Sequence, residues 1–295
     1  MSLPSVHRNG PPAIAPGARL LGEVISWTCP GAAVRHAELV AALADAGLDA
    51  GVARELLPRH AFARACKKLA KDRIIRPVSE DQTTITFQFT QESRSGDKYE
   101  YTLETMLALE KATGRVSCPL AGLATLAQEL VDHAIDARTG GDITRCVKRL
   151  FDRHADLFPV REKGSVYFVP RAHAGFVERV QAFLGRVGGR LARFPVPEGT
   201  PQGDRSVRDA VAAGLAAMIA EHREAVEGFG TDTRRDTLER AAERVKQVRH
   251  KLSAYAEYLA DERSRLEREL AAAAAALRDK VERLASAAEP TPAGG

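Results

Sequence analysis

The sequence predicts an α+β protein, predominantly helical, with tandem winged-helix-like modules followed by a long C-terminal coiled-coil helix. Three observations carry that prediction. A basic helix leads directly into a strand-rich segment twice, at residues 59–73 then 83–90, and again at 142–154 then 158–169. Within those segments apolar and polar residues alternate, as in Thr84-Ile-Thr-Phe-Gln-Phe-Thr90, the period of a half-buried strand. Beyond residue 232 apolar positions recur in threes and fours over a stretch rich in Ala, Arg and Glu, the spacing of a coiled-coil seam.

A chain of 295 residues exceeds one typical domain, so two or three compact units are expected. The boundaries read as a disordered tail at 1–18, a first winged-helix-like module at 19–116, a second, partial one at 117–200, a helical hairpin and coiled coil at 201–287, and a disordered tail at 288–295. Residues 10–17, Gly-Pro-Pro-Ala-Ile-Ala-Pro-Gly, cannot build a helix or a ladder. The segment 20–27 is a short strand or helix whose single tryptophan, Trp27, is expected to be buried.

Val34, Leu39, Val40 and Leu43 then recur at helical spacing until Gly47 stops the run. A short helix at 50–57 follows, and Pro58 opens a third, where its missing donor costs nothing. Ile85, Phe87 and Phe89 share one face of the next strand. The chain turns at 93–97 and returns through Tyr99, Tyr101 and Leu103, with a helix expected near 103–111. Residues 123–137 form another helix with Leu126, Leu130, Val131 and Ala134 inward. Asp142 is read as the N-cap of the helix after it, whose buried stripe is Ile143, Val147, Leu150 and Phe151. A further helix covers 176–191, and the Pro- and Gly-rich stretch 194–203 reads as a linker.

Past that linker the pattern is wholly helical. Residues 204–227 carry Val207, Val211, Leu215, Met218, His222 and Val226 on one side. After the break at 228–233 one helix is expected to run to about Ser286, with Leu238, Ala241, Val245, Val248, Leu252, Tyr255 and Leu259 as its seam. The seam slips near Glu262, which locally relaxes a supercoil. Some 55 residues of helix would extend roughly 80 Å, further than the preceding helix covers. The sequence therefore favours a homo-oligomer formed through residues 232–286, with Leu238, Val245, Leu252 and Leu259 at the contact, over the alternative of a purely intramolecular bundle.

Enzyme motifs are missing: no phosphate-binding loop, dinucleotide fingerprint, nucleophile elbow or paired-histidine metal motif occurs. Gly185-Arg-Val-Gly-Gly189 lacks a preceding strand, and Asp132 and His133, adjacent in a helix, do not face each other. Cys29, Cys66, Cys118 and Cys146 stand too far apart for a metal motif or a disulfide framework, which suits a reducing cytoplasm. No run approaches the roughly 18 apolar residues of a membrane span. A non-enzymatic cytoplasmic protein without cofactor or metal is expected.

The cations give the functional expectation. The formal net charge is +4, which permits contact with nucleic acid without demanding it. Arg64, Lys67, Lys68 and Lys71 fall at i, i+3, i+4 and i+7 and so share a helix face, while Phe62, Ala65 and Leu69 lie opposite. That is how a helix meets backbone phosphates, here of double-stranded DNA, with Arg94 and Lys98 adding contacts from the hairpin tip. The alternative is a solvated face. Arg145, Lys148 and Arg149 on the second basic helix, diluted by Asp152 and Glu162, are read as a protein-interaction surface. A scaffold that grips another protein without touching nucleic acid is the competing expectation.

At residues 157–170 the chain resembles a functionally uncharacterised family of bacterial and phage proteins that share a Gly-x-Val-Tyr-Phe-Val-Pro hairpin, here Gly164-Ser-Val-Tyr-Phe-Val-Pro170. The resemblance covers residues 19 to about 200, with the helical tail following as in other members, and implies a shared architecture, with no activity and no functional residue to carry over.

Overall fold

The computed structural model of the chain describes residues 19–70, 73–95, 97–161 and 164–288. The tail expected at 1–18, nearly all of that at 288–295, and Lys71, Glu162 and Lys163 lie outside the described residues. In chain order the elements are β1 (Leu20–Thr28), β2 (Val34–Arg35), α1 (His36–Asp45), α2 (Pro58–Leu69), β3 (Arg73–Glu80), β4 (Thr84–Ser95), β5 (Lys98–Glu110) and β6 (Val116–Ser117). They continue with α3 (Ala121–Asp136), β7 (Ala137–Arg138), α4 (Gly140–His154), β8 (Phe158–Pro159), β9 (Val166–Pro170), α5 (Ala174–Arg186) and β10 (Arg190–Pro197). The last are α6 (Pro201–Glu227), α7 (Arg235–Ala254), α8 (Ala256–Leu259) and α9 (Glu262–Ala288). The fold is α+β and mostly helical. Its described residues fall into two compact units, each discontinuous in sequence: a sheet unit of Thr28–Arg153 and Glu178–Arg190, and a bundle unit made from the rest.

In the sheet unit, antiparallel strands run in the order β3-β4-β5-β6. Ile85, Phe89, Leu107 and Leu109 point to the face on which α2 and α3 pack, meeting Phe62, Cys66, Leu69, Ala127 and Val131. Phe87 closes this layer by setting its ring edge-on to Phe62, with centroids 5.5 Å apart. The helix expected near 103–111 is instead the second half of β5. Thr105, Leu107 and Leu109 are buried in alternation with exposed Glu104 and Met106, and that period of two decides the matter.

Gly47 ends α1 as expected. At φ +64° it lets its own N–H and that of Leu48 bond back to the carbonyls of Ala44 and Leu43. Only a three-residue turn, Ala50–Val52, forms where a second helix was expected. Pro58 holds the residue before it, Leu57, in an extended conformation, so the turn cannot propagate into α2.

The bundle unit contains a second sheet, ordered β10-β1-β9-β8. The Val166–Pro170 strand of the hairpin motif lies at its centre, pairing antiparallel with both β1 and β8. Gly22 of β1 is required here, because a Cβ would sit 2.2 Å from the Val169 carbonyl oxygen. Trp27 is half-buried and stacks on Tyr167, with ring centroids 5.2 Å apart. The stretch read as a linker, 194–203, instead supplies the end of β10 and the start of α6, and the prolines of β10 are tolerated because it is an edge strand. The second helix and hairpin copy therefore makes no separate module: most of α4 belongs to the sheet unit and β8 and β9 to the bundle unit.

The C-terminal third corrects the expectation of one uninterrupted helix. The chain breaks between Tyr255 and Glu262, with Ala260 at φ +43°, and α9 folds back so that Leu270 lies beside Leu252. The spacing slip seen near Glu262 marks this reversal. Val245, Val248, Leu252 and Leu259 are buried together with Val211, Leu215 and Ile219 of α6 and Leu266, Leu270 and Leu277 of α9. The seam that seemed to need a second chain is thus covered by this one, with α7 and α9, packed against each other and against α6, in place of a rod of roughly 80 Å.

Asp156 fastens the loop after α4 to this bundle. Lys251 and the Tyr255 hydroxyl both donate to its carboxylate, and His173 Nε2 stands 3.1 Å from that hydroxyl. Burial alone would raise the Asp156 pKa, but these hydrogen bonds hold it well below the usual carboxylate range. Leu252→Ala should lower stability by about 2–5 kcal/mol through the cavity it leaves. Chemical denaturation measures the loss, and a loss below about 0.5 kcal/mol, typical of exposed sites, would show that Leu252 faces solvent.

Candidate anion-binding site

Helix α2 starts at Pro58 and buries Ala61, Phe62, Ala65, Cys66 and Leu69 against the sheet. Its other side therefore presents His60, Arg64, Lys67 and Lys68 in successive turns. Lys67 and Lys68 are exposed, whereas Arg64 is half-buried and turned towards α4. The guanidinium of Arg64 donates two bonds to Asp142, at 2.9 Å from Nη1 and 2.6 Å from Nη2.

Asp142 is the organising residue. Sequence reasoning placed it as the N-cap of α4, but the helix begins at Gly140 and the cap is Thr139. The two make a reciprocal capping box: the Asp142 N–H bonds Thr139 Oγ1 at 3.4 Å, and the carboxylate accepts from the Thr139 N–H at 2.9 Å and its hydroxyl at 2.8 Å. Arg145, one turn on, donates to the same carboxylate. Burial by itself would raise the Asp142 pKa. The bonds from Arg64, Thr139 and Arg145 outweigh it and keep the group ionised far below its ordinary range.

Arg64 of α2 and Arg145 and Arg149 of α4, assigned from sequence to two different surfaces, thus meet at one place. With Arg54, His60 and Arg138 they line a cavity of about 280 Å³. Arg149 also donates to the Val52 carbonyl at 3.1 Å, which fixes the wall formed by the turn before α2. Arg138, in β7, is 4% exposed. Its Nη1 donates to the carbonyls of Ile135 and Ala137, while Nε has no hydrogen-bond partner among the described residues. Against five arginines stand two carboxylates in the lining, Asp142 and Glu55, an excess of three positive charges. The Cys146 thiol lines the same cavity, and burial pushes its pKa up, so it remains a neutral packing group.

The remaining expected residues lie elsewhere. Lys148 is exposed on α4, on the turn it shares with Arg145 and Arg149. Arg94 and Lys98 are exposed at the β4–β5 tip, where Arg94 stands 3.9 Å from Asp97 and 5.9 Å from the Tyr99 ring centroid. The face of the sheet turned away from α2 and α3 also exposes Tyr99, Tyr101 and Leu103. Leu238 is half-buried and Val245, Leu252 and Leu259 are buried within the bundle unit. Arg54 and Arg138 escaped sequence reasoning. Neither belongs to a basic run, and only their position beside Asp142 gives them a role. Among the described residues no group of three His, Cys, Asp or Glu side chains is placed to hold a metal, and no helix is long and apolar enough to cross a membrane.

Residues 20–290 match a family described as a family of unknown function (DUF6744). The chain belongs to that family. Membership spans both units and all of the C-terminal helices, the helical tail included. No curated protein and no solved structure matches the chain.

The depressed pKa values of Asp142 and Asp156 give a pH prediction. Each folded-state value lies below the unfolded one, so the stabilisation is complete above about pH 4 and is lost as the pH falls below that. Asp142→Asn should therefore destabilise the protein at pH 7 and flatten its acid denaturation profile. A variant whose acid midpoint and steepness equal those of the parent would contradict the role given to this carboxylate.

Proposed function

We propose that this protein is a non-catalytic nucleic-acid-binding protein whose phosphate contacts are made by α2 and α4 of the sheet unit. The observation that carries the reading is the arginine cluster around Asp142, flanked on the same helix faces by exposed Lys67, Lys68 and Lys148. Arginine forks suit phosphate oxygens, and lysines beside them add charge without demanding a fixed geometry. The Cys146 thiol in the lining, whose pKa burial pushes up, is a poor nucleophile and favours binding over catalysis. The reading takes the protein to act without self-association, because Val245, Leu252 and Leu259 are covered inside the bundle unit.

A second reading has one observation in its favour. Tyr99, Tyr101 and Leu103 are each more than half exposed on the outer face of the sheet, where Arg76 and Arg94 are matched by Glu92 and Asp97. A tyrosine-rich surface without net charge suits a protein partner better than a polyanion.

Duplex DNA of random sequence should bind at low salt, with log affinity falling against log salt at a slope of about −3 to −4 if four phosphates are neutralised. The double variant Lys67→Glu, Lys68→Glu should weaken binding at least about tenfold and make the slope shallower. Fluorescence anisotropy across a salt series measures both. Unchanged affinity in the double variant would remove α2 from the interface, and no binding even at low salt would favour the tyrosine face.

A further inference from the structure

The cavity itself differs in kind from the exposed lysines beside it. A phosphodiester inside a strand carries one negative charge and is joined to the chain on both sides, so it passes along an open surface. A terminal phosphate monoester carries up to two charges and is joined on one side only, so it enters a recess. The recess here is lined on several sides by arginines from α2, α4, β7 and the segment before α2. At its wall lies Arg138, 4% exposed, with an Nε donor that nothing among the described residues accepts. A buried donor left without an acceptor costs free energy, and an anion oxygen would remove that cost. The excess of three positive charges fits a dianion better than a single negative charge.

We propose that this arginine cavity binds a terminal phosphate monoester, such as the 5′-phosphate of a nucleic-acid strand. The claim rests on the reading of the protein as a nucleic-acid binder for the source of the phosphate, and on the cavity alone for its chemistry. Asp142 has a defined part in it. By holding Arg64 and Arg145 it keeps two guanidinium groups in the lining of the cavity, and its own charge sets how strongly the site attracts an anion.

The test compares two fluorescently labelled single-stranded oligonucleotides of one sequence, with a 5′-phosphate or a 5′-hydroxyl, in anisotropy titrations of the full chain. Inorganic pyrophosphate and a nucleoside 5′-monophosphate serve as competitors and, separately, as ligands in thermal-shift assays. The phosphorylated strand should bind at least about tenfold more tightly, and pyrophosphate should erase the difference. In Arg54→Gln with Arg145→Gln, which leaves buried Arg138 in place, the preference should disappear while the melting temperature stays within a few degrees of the parent's. Equal affinity for the two strands would overturn the terminal-phosphate site and leave the nucleic-acid reading standing. Stabilisation by pyrophosphate or the mononucleotide without binding of either strand would keep the site and overturn that reading. No response to any of these probes would overturn both.

Discussion

One carboxylate holds the sheet unit's functional geometry together. Asp142 caps the first turn of α4, accepts both arms of the Arg64 guanidinium from α2, and pairs with Arg145 on its own helix. Without it, five arginines in one lining would repel one another and α2 and α4 would lose the Arg64–Asp142 contact that ties them. With it, like charges are gathered where none would gather spontaneously. Ion pairs this sheltered cost desolvation as well as gaining attraction, so the arrangement adds modestly to stability. What it supplies is position: guanidinium groups pointed at a shared space with donors left over.

Much of the fold is legible in the sequence because burial is periodic. The two-residue alternation of Ile85, Phe87 and Phe89, the helical stripe of Ile143, Val147, Leu150 and Phe151, and the stop at Gly47 all stand where the pattern puts them. The departures share a cause. Residues 103–110 and 190–197 are short and flanked by misleading neighbours, charged residues in one case and prolines in the other. Only their pairing partners, β4 and β1, make them strands. Heptad spacing in the last third reports that apolar stripes are covered without reporting by what, and the reversal at Ala260 turns a seam for a partner into a core within the chain.

The candidate site was legible in pieces. The cationic faces of α2 and α4 follow from helical spacing, but the chain offers no sign that they meet, since Arg64 and Asp142 are separated by 78 residues. Arg138 and Arg54 carry no local signature at all. Nor does any pattern along the chain separate a cation committed to a carboxylate from one left for a ligand. That distinction divides Arg64 from Lys67 and Lys68, and it comes only from packing.

Arginine-selective NMR of the Nε–Hε groups, followed during titration of the full chain with a nucleic-acid strand, addresses the central claim most directly. The account predicts that the resonances of Arg64, Arg138, Arg145 and Arg149 shift together and saturate at one ligand concentration, while those of Arg240 and Arg265 in the bundle unit stay in place. Shifts confined to Arg94 at the β4–β5 tip, or spread evenly over arginines of both units, would contradict it.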